Sequence, residues 1–172
     1  MNLATGEAVS GDDHNRAHVN ILLGDKNGPL GLAFASTMGR GQPGQMPFTV
    51  VVKPGVIARP TTLFVSKGPS INEFHSKLIY GAAQMGVAKA LVESLRDLNF
   101  PAGAAENWVA IIAVLVPEAA DSEDEVFANN LVATRTAIRN AMQGYPSLGD
   151  CVAALSELGN RYFKPSESLK AL

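Results

Sequence analysis

Residues 108–116, WVAIIAVLV, run from Trp108 to Val116 without a charge or a polar break. The length is that of a strand and falls far short of the ~18 apolar residues that span a bilayer. A run apolar on both faces reads as a strand in the middle of a sheet, covered on each side. Working outward, the segment upstream is helical. Ser70-Ile71-Asn72-Glu73 matches a capping box, in which Ser70 accepts from a backbone N–H three residues on and Glu73 reaches back. The helix it opens is expected to run to about Leu98, with Phe74, Leu78, Met85, Leu91, Val92 and Leu95 near one buried stripe. Gly81 and Gly86 inside it each cost ~1 kcal/mol against alanine, which close packing or a nearby ligand must offset. Downstream, the acidic turn Asp121-Ser122-Glu123-Asp124-Glu125 suits the positive end of a helix dipole. That helix is expected to reach Gln143, stop at Gly144 and bury Phe127, Leu131, Thr134, Ile138 and Met142. A last helix near Leu148 to Leu158 precedes a polar tail from about residue 160.

The N-terminal half is richer in strands. In Ala17–Leu23 (AHVNILL), period 2 places Ala17, Val19, Ile21 and Leu23 on one face, and His18, Asn20 and Leu22 on the other. Pro29 sits where the first turn of a helix tolerates it, ahead of Leu30 to Met38. Phe48 to Val52 and Thr61 to Ser66 are β-branched and aromatic, and read as two further strands. Gly and Pro cluster in residues 39–47, at 53–55 and at 59–60, marking loops within one domain over 1–172. Strands first, then helix, strand and helices, give an α+β fold: a mixed sheet with helices on one face.

The chain has 172 residues, enough for one real core. Its net charge of -2, from 14 basic and 16 acidic residues, offers no footprint for nucleic acid or an anionic membrane. One cysteine, Cys151, excludes an intramolecular disulfide, and the N-terminus lacks the pattern of a secretory signal; cytoplasmic is the expected location. Only 17 % of residues are charged, a hint that part of the surface is buried against copies of the chain.

Metal spacing is absent, since His14, His18 and His75 fall in different elements, and no phosphate-binding glycine loop or nucleophile elbow occurs. Polar residues in unexpected places remain. On a solvated strand face His18 and Asn20 would be ordinary; in a site, His18 is a general acid able to hold a proton near neutrality. Lys67 after a strand and Gln84 in the glycine-containing helix read equally as surface or satisfied groups, and Ser70 as a cap needs no function.

The stretch Gly6 to Gly24 (GEAVSGDDHNRAHVNILLG) resembles the N-terminal motif of formaldehyde-activating enzymes, G-E-A-L-V-G-D-G-N-E-V-A-H-I-D-L-I-I-G. Gly28-Pro29, Ala33-Phe34, Phe48-Thr49, Arg59-Pro60, Thr62-Leu63 and Lys67 continue the match, and Gly81 to Ala88 (GAAQMGVA) resembles the family's G-P-A-Q-H-G-V-A. Pro117 to Asp121 matches the end of its last long strand, and the likeness reaches about Gly144. The resemblance implies a ribosomal protein S5 domain 2-like fold and a homopentamer with the pterin site between subunits. It implies a hydro-lyase of one-carbon metabolism that condenses formaldehyde with tetrahydromethanopterin, a co-substrate, to methylene-tetrahydromethanopterin and water. No permanently bound cofactor or metal is implied. By the same resemblance His18 takes the place of the proton donor, while Asn20, Val52, Lys67, Ser70 and Gln84 fall on or near pterin-binding positions. Asn20 stands for a family aspartate, Val52 for a leucine and Met85 for a histidine; Ser70 is near a threonine, in a loop one residue longer. The departures leave a second reading, a non-catalytic paralogue that binds a tetrahydropterin or formaldehyde in a regulatory role.

Overall fold

The computed structural model describes residues 3–11, 13–41, 43, 45–97, 99–160 and 162–170. Its main sheet holds β1 (Ala4–Ser10), β2 (Ala17–Asp25), β7 (Trp108–Leu115), β6 (Thr61–Ser66) and β3 (Phe48–Thr49), in the order β1-β2-β7-β6-β3. The β6–β7 pair is parallel and the others antiparallel, so the sheet is mixed. β4 (Val51–Lys53) and β5 (Val56–Ile57) form a separate hairpin. The expected strand over 48–52 is thereby divided between β3 and β4.

β7 is central, as its composition requires, but its two faces differ. Ala110, Ile112 and Val114 are buried, whereas Ile111, Ala113 and Leu115 are half-exposed. The second face belongs to a sheet surface that the chain leaves partly uncovered. On the closed face Ala4, Ala8, Val19, Ile21, Phe64, Ile112 and Val114 join Leu78, Val87, Leu91 and Ile138 of the helices in one core.

β1 carries no strong strand signal in the sequence. Its inward residues are Ala4, Gly6 and Ala8, too small and too weakly β-forming to advertise a strand. Their size has a cause in α5 (Glu123–Gln143), which lies directly on them: a Cβ on Gly6 would run into the carbonyl oxygen of Ala137. α5 is capped by Ser122, which accepts from the Glu125 N–H, and ends at Gly144 with φ +66. Thr134 and Ile138 are buried as expected, but Phe127, Leu131 and Met142 are only half-buried, and Val126, Asn130, Ala133, Ala137 and Ala141 face inward instead. Close approach selects the small residues for the contact line.

The other long helix departs further from its sequence pattern. It begins with α2 (Glu73–Lys77), passes through a π-helical stretch, Leu78–Ala83, and continues as α3 (Gln84–Arg96). The expected end at Leu98 lies outside the described residues. Its cap is Asn72, whose side chain accepts from the His75 N–H, not Ser70, whose hydroxyl is turned to the Asn72 carbonyl and to Ser76. A π turn advances the chain by one extra residue relative to an α-helix and so rotates the phase of every later position in the helix. Met85 and Val92 are therefore exposed, Phe74 in the first turn is exposed as well, and the buried side is Leu78, Ile79, Ala83, Val87, Ala88, Ala90 and Leu91. Gly86 meets α5, where a Cβ would lie 2.5 Å from the Phe127 carbonyl oxygen, while nothing approaches Gly81 within 4 Å.

α1 (Pro29–Met38) lies against β2 and β7, and the short α4 (Ala104–Asn107) leads into β7. The expected helix over 148–158 is α6 (Leu148–Ala153) continued by a 3-10 turn, Ala154–Glu157, neither with a buried residue. The tail beyond it contains a short α7 (Glu167–Lys170) and is not purely polar, since Tyr162 and Phe163 are exposed there. Among the described residues no helix is long and apolar enough to cross a membrane.

The Gly6 contact predicts that Gly6→Ala lowers unfolding free energy by about 1–3 kcal/mol, the usual cost of overpacking. Urea denaturation followed by circular dichroism checks it; an unchanged midpoint would show that α5 has room to move.

Candidate active site

The uncovered face of the sheet gathers side chains that the sequence scatters over sixty residues. Pairing of β1 with β2 sets Glu7 opposite Asn20 and Val9 opposite His18. Pairing of β2 with β7 sets His18 opposite Leu115 and Asn20 opposite Ala113. Because successive residues of a strand alternate in direction, all of these occupy one face, away from α5. Lys67 follows β6, its N–H bonded to the Val114 carbonyl, and its ammonium donates to Asn20 Oδ1 at 2.5 Å. Glu7 Oε1 lies 2.9 Å from His18 Nε2. Glu7, His18, Asn20 and Lys67 thus form one polar cluster framed by Leu22, Ala113 and Leu115.

Lys67 is half-buried, and burial holds its ammonium below the ordinary lysine range, while the Glu7 carboxylate pulls the opposite way. Beside the cluster opens a cleft of about 740 Å³, lined by Glu7, Val9, Arg16, His18, Leu115 and Tyr162 among others. Its size is that of a small-molecule site. One wall comes from the C-terminal segment, where the Arg16 guanidinium donates to the Tyr162 hydroxyl at 2.9 Å.

The turn that delivers His18 is anchored by buried Asn15. Its amide donates to Asp121 Oδ1 and Glu125 Oε2, both at 2.9 Å, and its carbonyl oxygen accepts from the backbone N–H groups of Asp121 and Ser122 at 3.0 and 3.1 Å. Those bonds, with one from His14, hold the Asp121 carboxyl below the usual carboxylate range. They also tie the start of β2 to the N-terminus of α5. Of the other histidines, His14 is bound to Asp13 and Asp121, and His75 is buried with Nε2 on the Val116 carbonyl. Only His18 of the three lies on the open face of the sheet.

The remaining expected residues are bonded to other partners. Gln84 is buried, and its Oε1 accepts from the Val51 N–H at 2.7 Å, which pins the β4–β5 hairpin to α3. Val52 is half-buried next to that bond and packs on the core. Ser70 is held in the turn before α2. Among the described residues no hydrogen bond or ion pair joins Val52, Ser70 or Gln84 to His18, Asn20 or Lys67. His18, Asn20 and Lys67 thus gather at the open face of the sheet, Val52 and Gln84 at the β4–β5 hairpin, and Ser70 in the turn before α2. Sequence reasoning gave no role to Glu7 or Tyr162. For Glu7 the signal was present, a carboxylate at the polar position of an Ala-x-Gly-x-Ala alternation; for Tyr162, nothing in sequence marks its approach to Arg16.

Residues 5–163 match the family described as formaldehyde-activating enzyme (Fae). The chain belongs to the formaldehyde-activating enzyme family. It is 37 % identical over 143 residues to the bifunctional enzyme Fae/Hps of Methanothrix thermoacetophila, covering 83 % of this chain and 36 % of that protein. It is 32 % identical over 148 residues to the 5,6,7,8-tetrahydromethanopterin hydro-lyase of Methanosarcina barkeri, covering 86 % of this chain and 83 % of that protein. The bifunctional enzyme Fae/Hps of Archaeoglobus fulgidus is 31 % identical over 148 residues, 86 % of this chain and 38 % of its own length. The chain thus spans little more than a third of the length of its bifunctional relatives, and most of the hydro-lyase's. The cluster around His18 lies within the matched residues of this Fae-family domain.

The Gln84–Val51 bond predicts a stability effect distinct from any effect on ligand. Gln84→Ala leaves a Val51 N–H without its acceptor and should lower unfolding free energy by about 1–3 kcal/mol. Equilibrium urea unfolding measures it, and a loss below about 0.5 kcal/mol would mean that water replaces the amide.

Proposed function

We propose that this chain condenses formaldehyde with tetrahydromethanopterin to methylene-tetrahydromethanopterin and water, with His18 as the general acid. The observation that carries the reading is the placement of His18 beside Asn20 and Lys67, at the mouth of a cleft of ligand size, in a chain of this family. The hydro-lyase name of the Methanosarcina barkeri relative supports the reaction class.

The chemistry asks little of the protein beyond positioning and one proton. A secondary amine of the pterin adds to formaldehyde and gives a carbinolamine. The nitrogen lone pair then expels the hydroxyl group, forming an iminium carbon, and this step is slow unless an acid protonates the departing oxygen. His18 supplies that proton, and the leaving group is water. The second pterin nitrogen attacks the iminium carbon and closes the ring. The proton that it sheds restores the histidine. Holding both reactants in one cleft contributes further by removing the entropy of their encounter. Lys67 and Asn20 orient the polar part of the pterin, and Val52, Ser70 and Gln84 contact it elsewhere.

Expected site residues with no bond between them within a chain suit a site completed by a second copy. The half-exposed apolar strip Leu22, Ile111, Ala113 and Leu115 and the low charged fraction favour the same arrangement. The reading therefore includes a homopentamer, and the S5 domain 2-like fold of the family, with tetrahydromethanopterin as co-substrate.

The rate of methylene-pterin formation in stopped flow, with the spontaneous rate subtracted, tests the function. His18→Ala should lower the catalysed rate by ~10²–10⁴ while pterin affinity changes far less, because the lost interaction belongs to the transition state. Wild-type protein that binds the pterin and leaves the spontaneous rate unchanged would defeat the enzyme reading in favour of a binder. Light scattering should return about five times the 18.1 kDa chain mass; a clean monomer would defeat the shared site.

A further inference from the structure

The histidine acid has a neighbour whose role the reaction alone does not specify. Glu7 stands on β1 opposite Asn20, one pleat along from the Val9–His18 pair, so its side chain reaches His18 on the diagonal. Diagonal neighbours of this kind are within range of long side chains. The contact made is 2.9 Å from Oε1 to Nε2.

The charges around His18 make this contact decisive. From β7 it faces apolar Leu115. Its own lead-in contributes the Arg16 guanidinium to the same cleft, and the C-terminal segment contributes the Tyr162 hydroxyl that binds it. Lys67 brings a second cation to the neighbouring position, on Asn20. Asn20 itself is neutral, where the family motif has an aspartate. Among the described residues lining the cleft, Glu7 is the one carboxylate. The cleft and its edge thus carry two cations, Arg16 and Lys67, with Glu7 the carboxylate on the imidazole itself.

We propose that Glu7 is the positioning residue of this site: it accepts a hydrogen bond from His18 Nε2–H and holds the protonated ring with Nδ1–H turned to the departing hydroxyl. The inference rests on the reading of His18 as the general acid. In the step, Nδ1–H passes its proton to the carbinolamine oxygen, the C–O bond breaks, and the nitrogen lone pair forms the C=N bond. The Glu7–His18 hydrogen bond persists throughout, and Glu7 keeps its charge. Glu7 acts on the ring and touches neither formaldehyde nor the reacting carbon. Glutamine in its place would still accept from Nε2–H but would no longer offset the two cations.

The test is a double-mutant cycle on the intact chain, with catalysed rates read by stopped flow over a range of pH. Glu7→Gln should lower kcat ~10–100-fold with KM for the pterin changed less than about threefold, and Glu7→Asp should recover part of the loss. In a His18→Ala background Glu7→Gln should cost nothing more. A loss of equal size in both backgrounds, or an effect confined to KM, would overturn the proposal. The NMR resonances of the His18 ring at one fixed pH give a readout that needs no turnover: they should move in Glu7→Gln, and unmoved resonances would overturn the proposal even in active protein. Wild-type protein without catalysis would instead defeat the enzyme reading, leaving the ring resonances to decide whether the pair exists. If Glu7→Gln does not fold, Glu7→Asp carries both measurements, with a smaller shift in the same direction supporting the pair and none overturning it.

Discussion

The register of β2 between β1 and β7 is the constraint on which the rest of the molecule depends. Both edges of the strand are bonded, and its pleat sends Val19, Ile21 and Leu23 into the core and His18 and Asn20 to the opposite surface. A slip of one residue would exchange the two sets, burying an imidazole and an amide while exposing three large apolar side chains. Such a slip is excluded by the same burial that stabilises the sheet. Core and site are two faces of one strand, and neither can be altered without the other. Asn15 adds a second lock at the strand's entry, where one buried amide joins the turn to the N-terminus of α5.

Much of this was legible in the residues. The unbroken apolar run over 108–116 announced the centre of the sheet, and the alternation of Ala17–Leu23 announced which side chains would share a face. The acidic turn before Glu123 and the glycine at 144 marked both ends of α5 within two residues. The features that escaped detection did so for physical reasons. β1 is built from small inward residues because a helix rests on it, and small residues carry weak strand preference. The stripe on the long upstream helix was misphased because a π turn inserts a residue that no 3.6-residue pattern anticipates. Ser70 and Asn72 are both good caps, and only the fold of the preceding turn decides between them.

The site was legible in part and by a different route. Spacing alone could not bring Lys67 to Asn20, since their contact depends on β6 running parallel to β7 with β2 on the far side. Resemblance to the family supplied the residues, and the sheet supplied the reason that three of them share a surface. The place of Gln84 is equally a product of the fold, because its amide is engaged by the Val51 N–H from within the core. A buried amide so engaged has one lone pair of its carbonyl oxygen on the backbone, which leaves its NH₂ donors and a single further acceptor position for any ligand.

The segment after Gly144 has a consequence for the timescales on which the cleft exists. Residues 145–160 bury no side chain, so their ordering draws on little apolar contact, while the sheet beneath them shares the cooperativity of the whole core. Free energies of local opening track that distinction, running from near zero at such segments to the global value in central strands. β2, which carries His18 along the floor of the cleft, is held at the global end of that range by its two bonded edges and buried face. Tyr162 in the wall is 82 % exposed and tied by its hydroxyl to Arg16, so the two sides of one cleft draw on unequal shares of the molecule's cohesion.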